Sequence, residues 1–217
     1  MKKTAIILGA TGLTGSYLLD LLLMSEDYEK VKIFTRKTTG KKHPKLEEFI
    51  GDILYLEKFS NDFKADDVFC CIGTTKAQTP NKDEYYAIDY GIPVSTAKLC
   101  EQNQISTLSI ISAIGSNPKS SVFYSRTKGE MEQSVLKYNI PNILIYRPSL
   151  IYGERKDKRL AENIATILIN GLQFLFIGKM KKYRAITGKE LANALFLGVK
   201  KTGHQIIERD QFLENKN

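Results

Sequence analysis

Short apolar runs alternate with segments of helical periodicity along most of this chain. The apolar runs predict strands at Thr4–Leu8, Val31–Thr35, Phe49–Leu54, Asp67–Ile72, Ile105–Ser112 and Ile143–Arg147. The periodic segments predict helices at Tyr17–Met24, Tyr86–Glu101, Tyr124–Tyr138, Leu160–Ile169 and Leu191–Val199. This alternation is typical of an α/β protein with a doubly wound, mainly parallel sheet and helices on both faces.

Two local signals refine the predicted helix boundaries. Pro93 lies inside the helix Tyr86–Glu101 and must begin, kink or divide it, because proline has no N–H to donate. Thr187 and Glu190 have the T-x-x-E spacing of a capping box, which predicts that the last helix begins there. After Pro148 the pattern is less regular, and it includes the short apolar run Phe174–Ile177.

The composition restricts the setting of the protein. Apolar residues make up 42% of the 217 residues, which is enough for one sizeable core. No run approaches the roughly 18 apolar residues that cross a bilayer, and the glycines begin too early for a signal peptide. Three cysteines, of which Cys70 and Cys71 are adjacent, do not form a disulfide framework. We therefore expect a reduced, cytoplasmic setting without membrane association.

The chain is basic, with a formal net charge of +8. A solvated basic surface accounts for this charge, and a phosphorylated cofactor or an anionic substrate is the alternative. No stretch interleaves aromatic and basic residues as single-strand binding platforms do, which argues against nucleic acid as a partner. His43 and His204 have no other metal ligand at a useful spacing, so no metal site is predicted.

A glycine-rich loop, GATGLTG at residues 9–15, connects the first predicted strand to the first predicted helix. In this position Gly9 permits a tight turn, and Gly12 lets backbone N–H groups approach a pyrophosphate. Gly15 lets the helix pack closely on the strand, and the helix N-terminus adds partial positive charge. The loop therefore predicts a dinucleotide site. The other loop residues expected to line it are Thr11, Leu13 and Thr14.

The end of the second predicted strand indicates which dinucleotide is preferred. Arg36 and Lys37 lie there, about 20 residues after Gly15, where a carboxylate would bind the 2′-hydroxyl of an NAD adenosine ribose. A carboxylate would repel the 2′-phosphate of NADP, whereas a guanidinium can bind it with two hydrogen bonds. The sequence therefore favours NADP(H) over NAD(H).

Tyr124 and Lys128, in the stretch YSRTK, lie on one face of a predicted helix because residues four apart are neighbours. Carbonyl reduction needs a hydride on carbon and a proton on oxygen. Tyr124 is the candidate proton donor, and the charge of Lys128 would lower the phenol pKa and hold the nicotinamide ribose. Ser112, at the carboxyl end of the fifth predicted strand, is the candidate hydrogen-bond donor to the substrate oxygen.

In this order, these motifs resemble the atypical, NAD(P)H-binding branch of the short-chain dehydrogenase/reductase superfamily, whose members are NAD-dependent epimerase/dehydratase-like. The segments that carry the resemblance are GATGLTG (9–15), TRK (35–37), GD (51–52), DVFCCIGTT (67–75), IISAIGS (110–116), YSRTK (124–128) and YRPSLIYG (146–153). The run FCCIGTTK looks most like the branch of the Tat-interacting oxidoreductase. The resemblance implies a Rossmann fold, bound NADP(H) and a Ser–Tyr–Lys set.

The same resemblance implies further cofactor contacts. Asp52 would accept a hydrogen bond from the adenine amino group. The residues expected along the adenosine ribose are Cys71, Ile72 and Gly73. Those expected to close against the nicotinamide end are Arg147 and Pro148.

Two positions leave the catalytic assignment open. Ser112 is followed by Ala113, and if the family's serine aligns with Ala113 the catalytic set is incomplete. Asp89 lies roughly where many relatives have asparagine, which weakens a proton relay there.

The chain length suggests a single domain of residues 1–217, with a cofactor-binding core (1–150) and a small substrate portion or lid (151–217). The portion after the core is short, so we expect a small substrate or none. The favoured function is an NADP-dependent oxidoreductase that acts on a small carbonyl or alcohol compound. The alternative is a non-catalytic NADP(H) sensor or regulatory protein that acts through a protein partner. A homodimer is also open.

Overall fold

A computed structural model describes residues 2–153 and 183–213. The strands are β1 (Lys3–Leu8), β2 (Tyr28–Thr35), β3 (Leu46–Ile50), β4 (Asp67–Cys70), β5 (Thr107–Ile111), β6 (Asn142–Arg147), β7 (Ile151–Tyr152), β8 (Ile186–Thr187) and β9 (His204–Glu208). The α-helices are α1 (Leu13–Met24), α2 (Lys82–Tyr86), α3 (Ile92–Gln102), α4 (Phe123–Val135) and α5 (Gly188–Gly198). A π-helical turn (Ala87–Gly91) joins α2 to α3, and 3-10 helices cover Ile53–Phe59 and Arg209–Leu213.

Within the described residues, seven strands form one parallel sheet in the order β3-β2-β1-β4-β5-β6-β9. The chain moves outward from β1 to β3 and then crosses back to β4, so the winding direction reverses between β1 and β4. Open α/β sheets bind ligands at such a reversal, beyond the carboxyl ends of the strands. The predicted fold class, a doubly wound Rossmann-type sheet, is confirmed.

The two faces of the sheet are covered by separate hydrophobic cores. One core packs α1 and α5 against the sheet, for example through Leu18 and Leu195, and the other packs α3 and α4, for example through Leu99 and Met131. Coverage of both faces explains why the central strands β1, β4, β5 and β6 are mostly apolar. None of the helices in the described residues is long and apolar enough to cross a membrane.

Several predicted boundaries need correction. The third strand ends at Ile50, not at Leu54, because Asp52 caps the following 3-10 helix by accepting a hydrogen bond from the N–H of Leu54. The helix predicted at Tyr86–Glu101 begins at Lys82 and is divided by the π-helical turn, with Pro93 in the first turn of α3. The capping box of Thr187 and Glu190 is confirmed at the start of α5.

One strand, β9, has no counterpart in the sequence prediction. It pairs with β6 at the edge of the sheet, and only Ile207 among its residues is buried. An edge strand with a single buried side chain has little hydrophobic periodicity, so its pattern is weak. The predicted helix Leu160–Ile169 and the apolar run Phe174–Ile177 lie outside the described residues, as does most of the predicted lid.

Candidate cofactor and catalytic site

The glycine loop forms a tight turn between β1 and α1. Gly9 has a φ of +82°, which favours glycine, and its carbonyl accepts a hydrogen bond from the N–H of Gly12 at 3.0 Å. A Cβ on Gly15 would lie 2.1 Å from the carbonyl oxygen of Gly9, so the helix can approach the loop only without a side chain there. Gly12 is the N-cap of α1 and is exposed. These glycines therefore leave a backbone cradle open at the helix N-terminus.

The remaining residues of the loop divide between the surface and the core. Thr11 is exposed and lines the pocket described next, whereas Thr14 is buried. Leu13 packs against Gly188 at the start of α5, where a Cβ would lie 2.7 Å from the Leu13 Cγ. Of these predicted cofactor contacts, Thr11 is the side chain that faces the open space.

A pocket of about 490 Å³ lies beside the glycine loop. It is lined by the last residues of β2, by residues that follow β1, β2 and β4, and by the start of the 3-10 helix. They are Gly9, Thr11, Phe34, Thr35, Arg36, Lys37, Thr38, Ile53 and Ile72. Arg36 and Lys37 are exposed at its wall. The structure thus brings the predicted pyrophosphate loop and the predicted phosphate-binding cations to one cavity.

The other residues predicted on the adenosine side lie close to this pocket in the chain. Asp52 is exposed, directly before the pocket residue Ile53, and its carboxylate is used locally as the cap described above. The backbone carbonyl of Cys71 lies against Gly9, because a Cβ on Gly9 would be 2.8 Å from the Cys71 carbonyl oxygen. Gly73 is exposed after β4, and a Cβ on it would lie 3.9 Å from the Lys128 Nζ.

Tyr124 and Lys128 lie on α4, and Lys128 is held by a buried ion pair. The Lys128 Nζ is 2.7 Å from the Asp89 Oδ1, and the two side chains are 4% and 1% exposed. The other oxygen of Asp89 accepts a hydrogen bond from the Thr74 N–H at 2.9 Å. Tyr124, by contrast, is 43% exposed at the start of the helix. One accessible phenol therefore lies one helical turn from a buried ammonium.

The electrostatic balance at Tyr124 differs from the prediction. Partial burial of the side chain raises the pKa of Tyr124, while the charge of Lys128 acts to lower it and that of Asp89 to raise it. The net pKa is raised, so the predicted lowering by the lysine is present but outweighed. For Lys128, burial acts to lower the pKa, but the nearby charge of Asp89 outweighs it and the net pKa is raised. The site thus combines a charged lysine with a protonated phenol.

Ser112 belongs to a buried hydrogen-bonded network behind α4. Its hydroxyl donates to the Glu132 carboxylate at 2.5 Å and lies 3.0 Å from the Ser116 hydroxyl. Glu132 in turn accepts two hydrogen bonds from Arg147, at 3.0 Å and 2.5 Å. Arg147 therefore connects β6 to α4, and Pro148 is buried beside it. Ser112 and Arg147 are at the predicted carboxyl edge of the sheet, but their polar groups bind Glu132.

The sequence did not predict the contacts of two acidic residues at the site, Glu132 and Asp89. Glu132 had a usable signal, because it is four residues after Lys128 and eight after Tyr124 and thus shares their helix face. Asp89 was noted only as a replacement for asparagine. Its direct pairing with Lys128 depends on how α2, the π-helical turn and α4 pack, and no local pattern encodes that packing.

The reversed winding of the sheet and the glycine loop at its switch point define a Rossmann-type nucleotide-binding protein. A model of the NAD dependent epimerase/dehydratase family matches residues 5–197, and the chain belongs to this family. The predicted resemblance to atypical short-chain dehydrogenases is thereby confirmed, while placement in the Tat-interacting branch stays a prediction.

Curated relatives include Protein FMP52-1, mitochondrial, of Scheffersomyces stipitis, which is 32% identical over 81% of this chain and 80% of its own length. Protein FMP52, mitochondrial, of Candida albicans is 32% identical over 77% of this chain and 76% of its own length. The predicted cytoplasmic location is wrong, because these relatives are named as mitochondrial proteins.

Solved structures share the fold at low identity. The Bordetella bronchiseptica enzyme WbmH in complex with NAD+ superposes with a TM-score of 0.72 and 18% identity, over 96% of this chain and 76% of that one. The oxidoreductase ylbE from Lactococcus lactis superposes with a TM-score of 0.65 and 14% identity, over 91% and 84% of the two chains. At identities this low, the two superpositions are evidence for a shared fold alone.

Proposed function

We propose that this protein binds NADP(H) and uses it as an oxidoreductase on a small carbonyl or alcohol compound. The observation that carries the proposal is the pocket of about 490 Å³, because the glycine loop and the cations Arg36 and Lys37 line it together. A backbone cradle suits a pyrophosphate, and a guanidinium beside it suits a further phosphate. The neighbour WbmH was solved with NAD+, which supports a nicotinamide cofactor here.

The residues present fit such a cofactor. Gly12 leaves the N-terminus of α1 open for the pyrophosphate, and Arg36 with Lys37 would bind a 2′-phosphate. Lys128 would hold the nicotinamide ribose, since its ammonium lies beside exposed Gly73 at the end of β4. When bound, the nicotinamide supplies the hydride that carbonyl reduction requires.

The chain itself supplies the proton. Tyr124 is accessible at the start of α4, and its raised pKa keeps the phenol protonated near neutral pH, as a proton donor must be. Lys128 keeps a positive charge one turn away, which favours the phenolate that forms as the proton leaves. These roles make carbonyl reduction the reaction that the site supports best.

Cofactor choice is tested by thermal unfolding with NADPH or NADH. A ligand at about 100 times its Kd stabilises by roughly 2.7 kcal/mol, and we expect the larger shift with NADPH. Arg36→Asp should remove most of the NADPH shift and little of the NADH shift, because it replaces a phosphate contact by repulsion. Lys42→Asp, an exposed change of equal charge that does not line the pocket, is the control. No shift with either dinucleotide would contradict the proposal.

Turnover is tested by screening carbonyl compounds for NADPH consumption. Tyr124→Phe should leave NADPH binding nearly unchanged and lower the rate about 100- to 10,000-fold, because only the proton donor is removed. Tyr86→Phe is the matched control, since it removes a phenol hydroxyl that donates to Glu130 and has no role in the proposed reaction. Full activity of Tyr124→Phe on a compound that the unmodified protein reduces would exclude the proposed donor.

One observation favours the second candidate, a non-catalytic NADP(H) sensor. The Ser112 hydroxyl donates to Glu132 and is buried, so the serine of the expected catalytic set is engaged inside the protein. Ser112→Ala separates the two functions: a large loss of turnover supports a full catalytic set, whereas NADPH binding without turnover of any carbonyl supports the sensor.

A further inference from the structure

The ion pair between Asp89 and Lys128 is buried beside the candidate proton donor. The charged atoms are 2.7 Å apart, and both side chains are at most 4% exposed. Burying two charges is costly, and an apolar pair of similar volume would often be as stable. Such a pair is therefore poorly explained by stability alone.

The backbone around Asp89 is shaped to place this carboxylate. Pro93 has no N–H for the carbonyl of Asp89, four residues earlier, and its ring would crowd that carbonyl in a regular α-helix. The chain instead forms a π-helical turn, in which the Ile92 N–H bonds to the carbonyl of Ala87. Turns of this type occur frequently at functional sites. The turn places Asp89 between the Thr74 N–H and the Lys128 ammonium.

The titratable groups that face this pair come from each element packed around it. Tyr124 and Lys128 lie on α4, Tyr85 on α2 and Cys70 at the end of β4, and each interacts electrostatically with Asp89 or Lys128. Burial raises the pKa of Cys70 to about 11 and raises that of Tyr85, so both are neutral near pH 7. The charges that act on Tyr124 at neutral pH are therefore those of Lys128 and Asp89.

We propose that Asp89 is a positioning residue that fixes Lys128 in a nearly charge-neutral pair, so that the lysine stabilises a Tyr124 phenolate less than an unpaired lysine would. The catalytic consequence, which rests on the proposed function, is a preference for carbonyl reduction over alcohol oxidation. In reduction the Tyr124 phenol would give its proton to the carbonyl oxygen, and the phenolate would regain a proton from water. A bound reduced nicotinamide would supply the hydride to the carbonyl carbon. In oxidation a phenolate must be present first, and Asp89 disfavours it.

The direct test titrates Tyr124 in the protein without cofactor, by NMR of ring-labelled tyrosine assigned with Tyr124→Phe. In Asp89→Asn the Tyr124 midpoint should fall by about one unit, because the repulsive carboxylate is gone while Lys128 remains. Asp67→Asn is the matched control. That carboxylate is equally buried and is bonded to Tyr28 and Lys3, but β4 places it at the opposite end of the sheet. A Tyr124 midpoint that is unchanged or higher in Asp89→Asn would overturn the proposal.

A second variant covers the case in which Asp89→Asn leaves the lysine unpaired and does not fold. Asp89→Asn with Lys128→Met removes both charges, so the Tyr124 midpoint should move by less than about one unit if the pair is nearly neutral toward it. A rise of about one unit or more would show that Lys128 acts without being offset, and the proposal would fail.

The activity arm compares pH profiles in both directions. In Asp89→Asn the pH of half-maximal alcohol oxidation should fall with the Tyr124 midpoint, a change that a merely structural role would not produce. A shifted Tyr124 midpoint without turnover of any substrate would reject the oxidoreductase function and keep the electrostatic role of Asp89. If turnover depends on Tyr124 but neither the pH profile nor the Tyr124 midpoint shifts in Asp89→Asn, the role of Asp89 is rejected and the oxidoreductase function is kept.

Discussion

Gly15 illustrates how a missing side chain defines the start of the candidate cofactor site. It lies on α1, where a Cβ would meet the backbone of Gly9 and not a flexible side chain that could move away. Gly12 differs, because its nearest contact would be 3.2 Å and its surface faces the open cradle. These two glycines therefore have different roles. Gly15 allows α1 to pack against the loop, and Gly12 allows a ligand to approach the backbone.

We expect Gly15→Ala and Gly12→Ala to separate these tasks. Gly15→Ala should lower the free energy of unfolding by about 1–3 kcal/mol, since α1 must shift away from the loop. Gly12→Ala should cost less stability, of order 0.5–1 kcal/mol for the cap, yet reduce the thermal shift with NADPH. Urea unfolding and NADPH titration of both variants provide the measurement. Equal losses of stability would contradict the assigned close contact of Gly15.

At the scale of elements, α5 is docked by glycines at both of its ends. Gly188 lies against Leu13 of α1, and Gly198 lies against the hydroxyl of Tyr146 on β6, where a Cβ would be 1.7 Å from the oxygen. The Tyr146 hydroxyl also donates to the carbonyl of Ala194 at 3.3 Å. The position of α5 over the sheet is thus set by close contact with two neighbouring elements.

Gly198→Ala should therefore destabilise the protein, and removal of the Tyr146 hydroxyl should relieve part of the effect. Overpacking of this kind costs about 1–3 kcal/mol. In the double variant with Tyr146→Phe, the nearest ring atom is 3.0 Å from the new Cβ, so the added loss from Gly198→Ala should be smaller than in the unmodified protein. A double-mutant cycle from urea unfolding measures this coupling. Strict additivity would show that the hydroxyl is not the obstacle.

At the scale of the whole molecule, two buried cores contain polar groups that must stay neutral. Tyr28 and Tyr146 lie in the core that contains α1 and α5, and Cys70 lies in the core that contains α3 and α4. Burial raises the pKa of both phenols and raises that of Cys70 to about 11. The fold therefore resists ionisation on both faces of the sheet.

Stability should fall at alkaline pH for this reason. In the unfolded chain the thiol ionises near 9.0 and the phenols near 10.0, whereas in the fold they ionise at higher pH. Above about pH 9 the unfolded state therefore binds fewer protons than the folded state. The contribution of these buried groups to the free energy of unfolding is fully present below about pH 9 and is lost as the pH rises through their pKa values in the folded protein. Urea midpoints under reducing conditions should decline above about pH 9. Tyr146→Phe should show a shallower decline, and identical slopes would contradict the assignment.

The sequence by itself determined those features whose signal is local. The period of apolar residues fixed the alternating strands and helices, because burial on both faces of a sheet leaves a continuous apolar run. The loop at residues 9–15 and the cations Arg36 and Lys37 were recognisable because their spacing to a strand end is short and its geometry is fixed. Tyr124 and Lys128 were recognisable because one helical turn joins them.

Only the tertiary structure decided which groups those residues meet. Asp89 and Lys128 are far apart in the chain, and their pairing required α4 to pack beside the π-helical turn. The Ser112 hydroxyl donates to Glu132, which also lies on α4, because β5 and β6 bring Ser112 and Arg147 to the same carboxylate. The strength of charge interactions depends on burial and distance in three dimensions, which sequence spacing does not contain. The sequence thus located the candidate site, and packing decided which of its groups are charged, engaged or accessible.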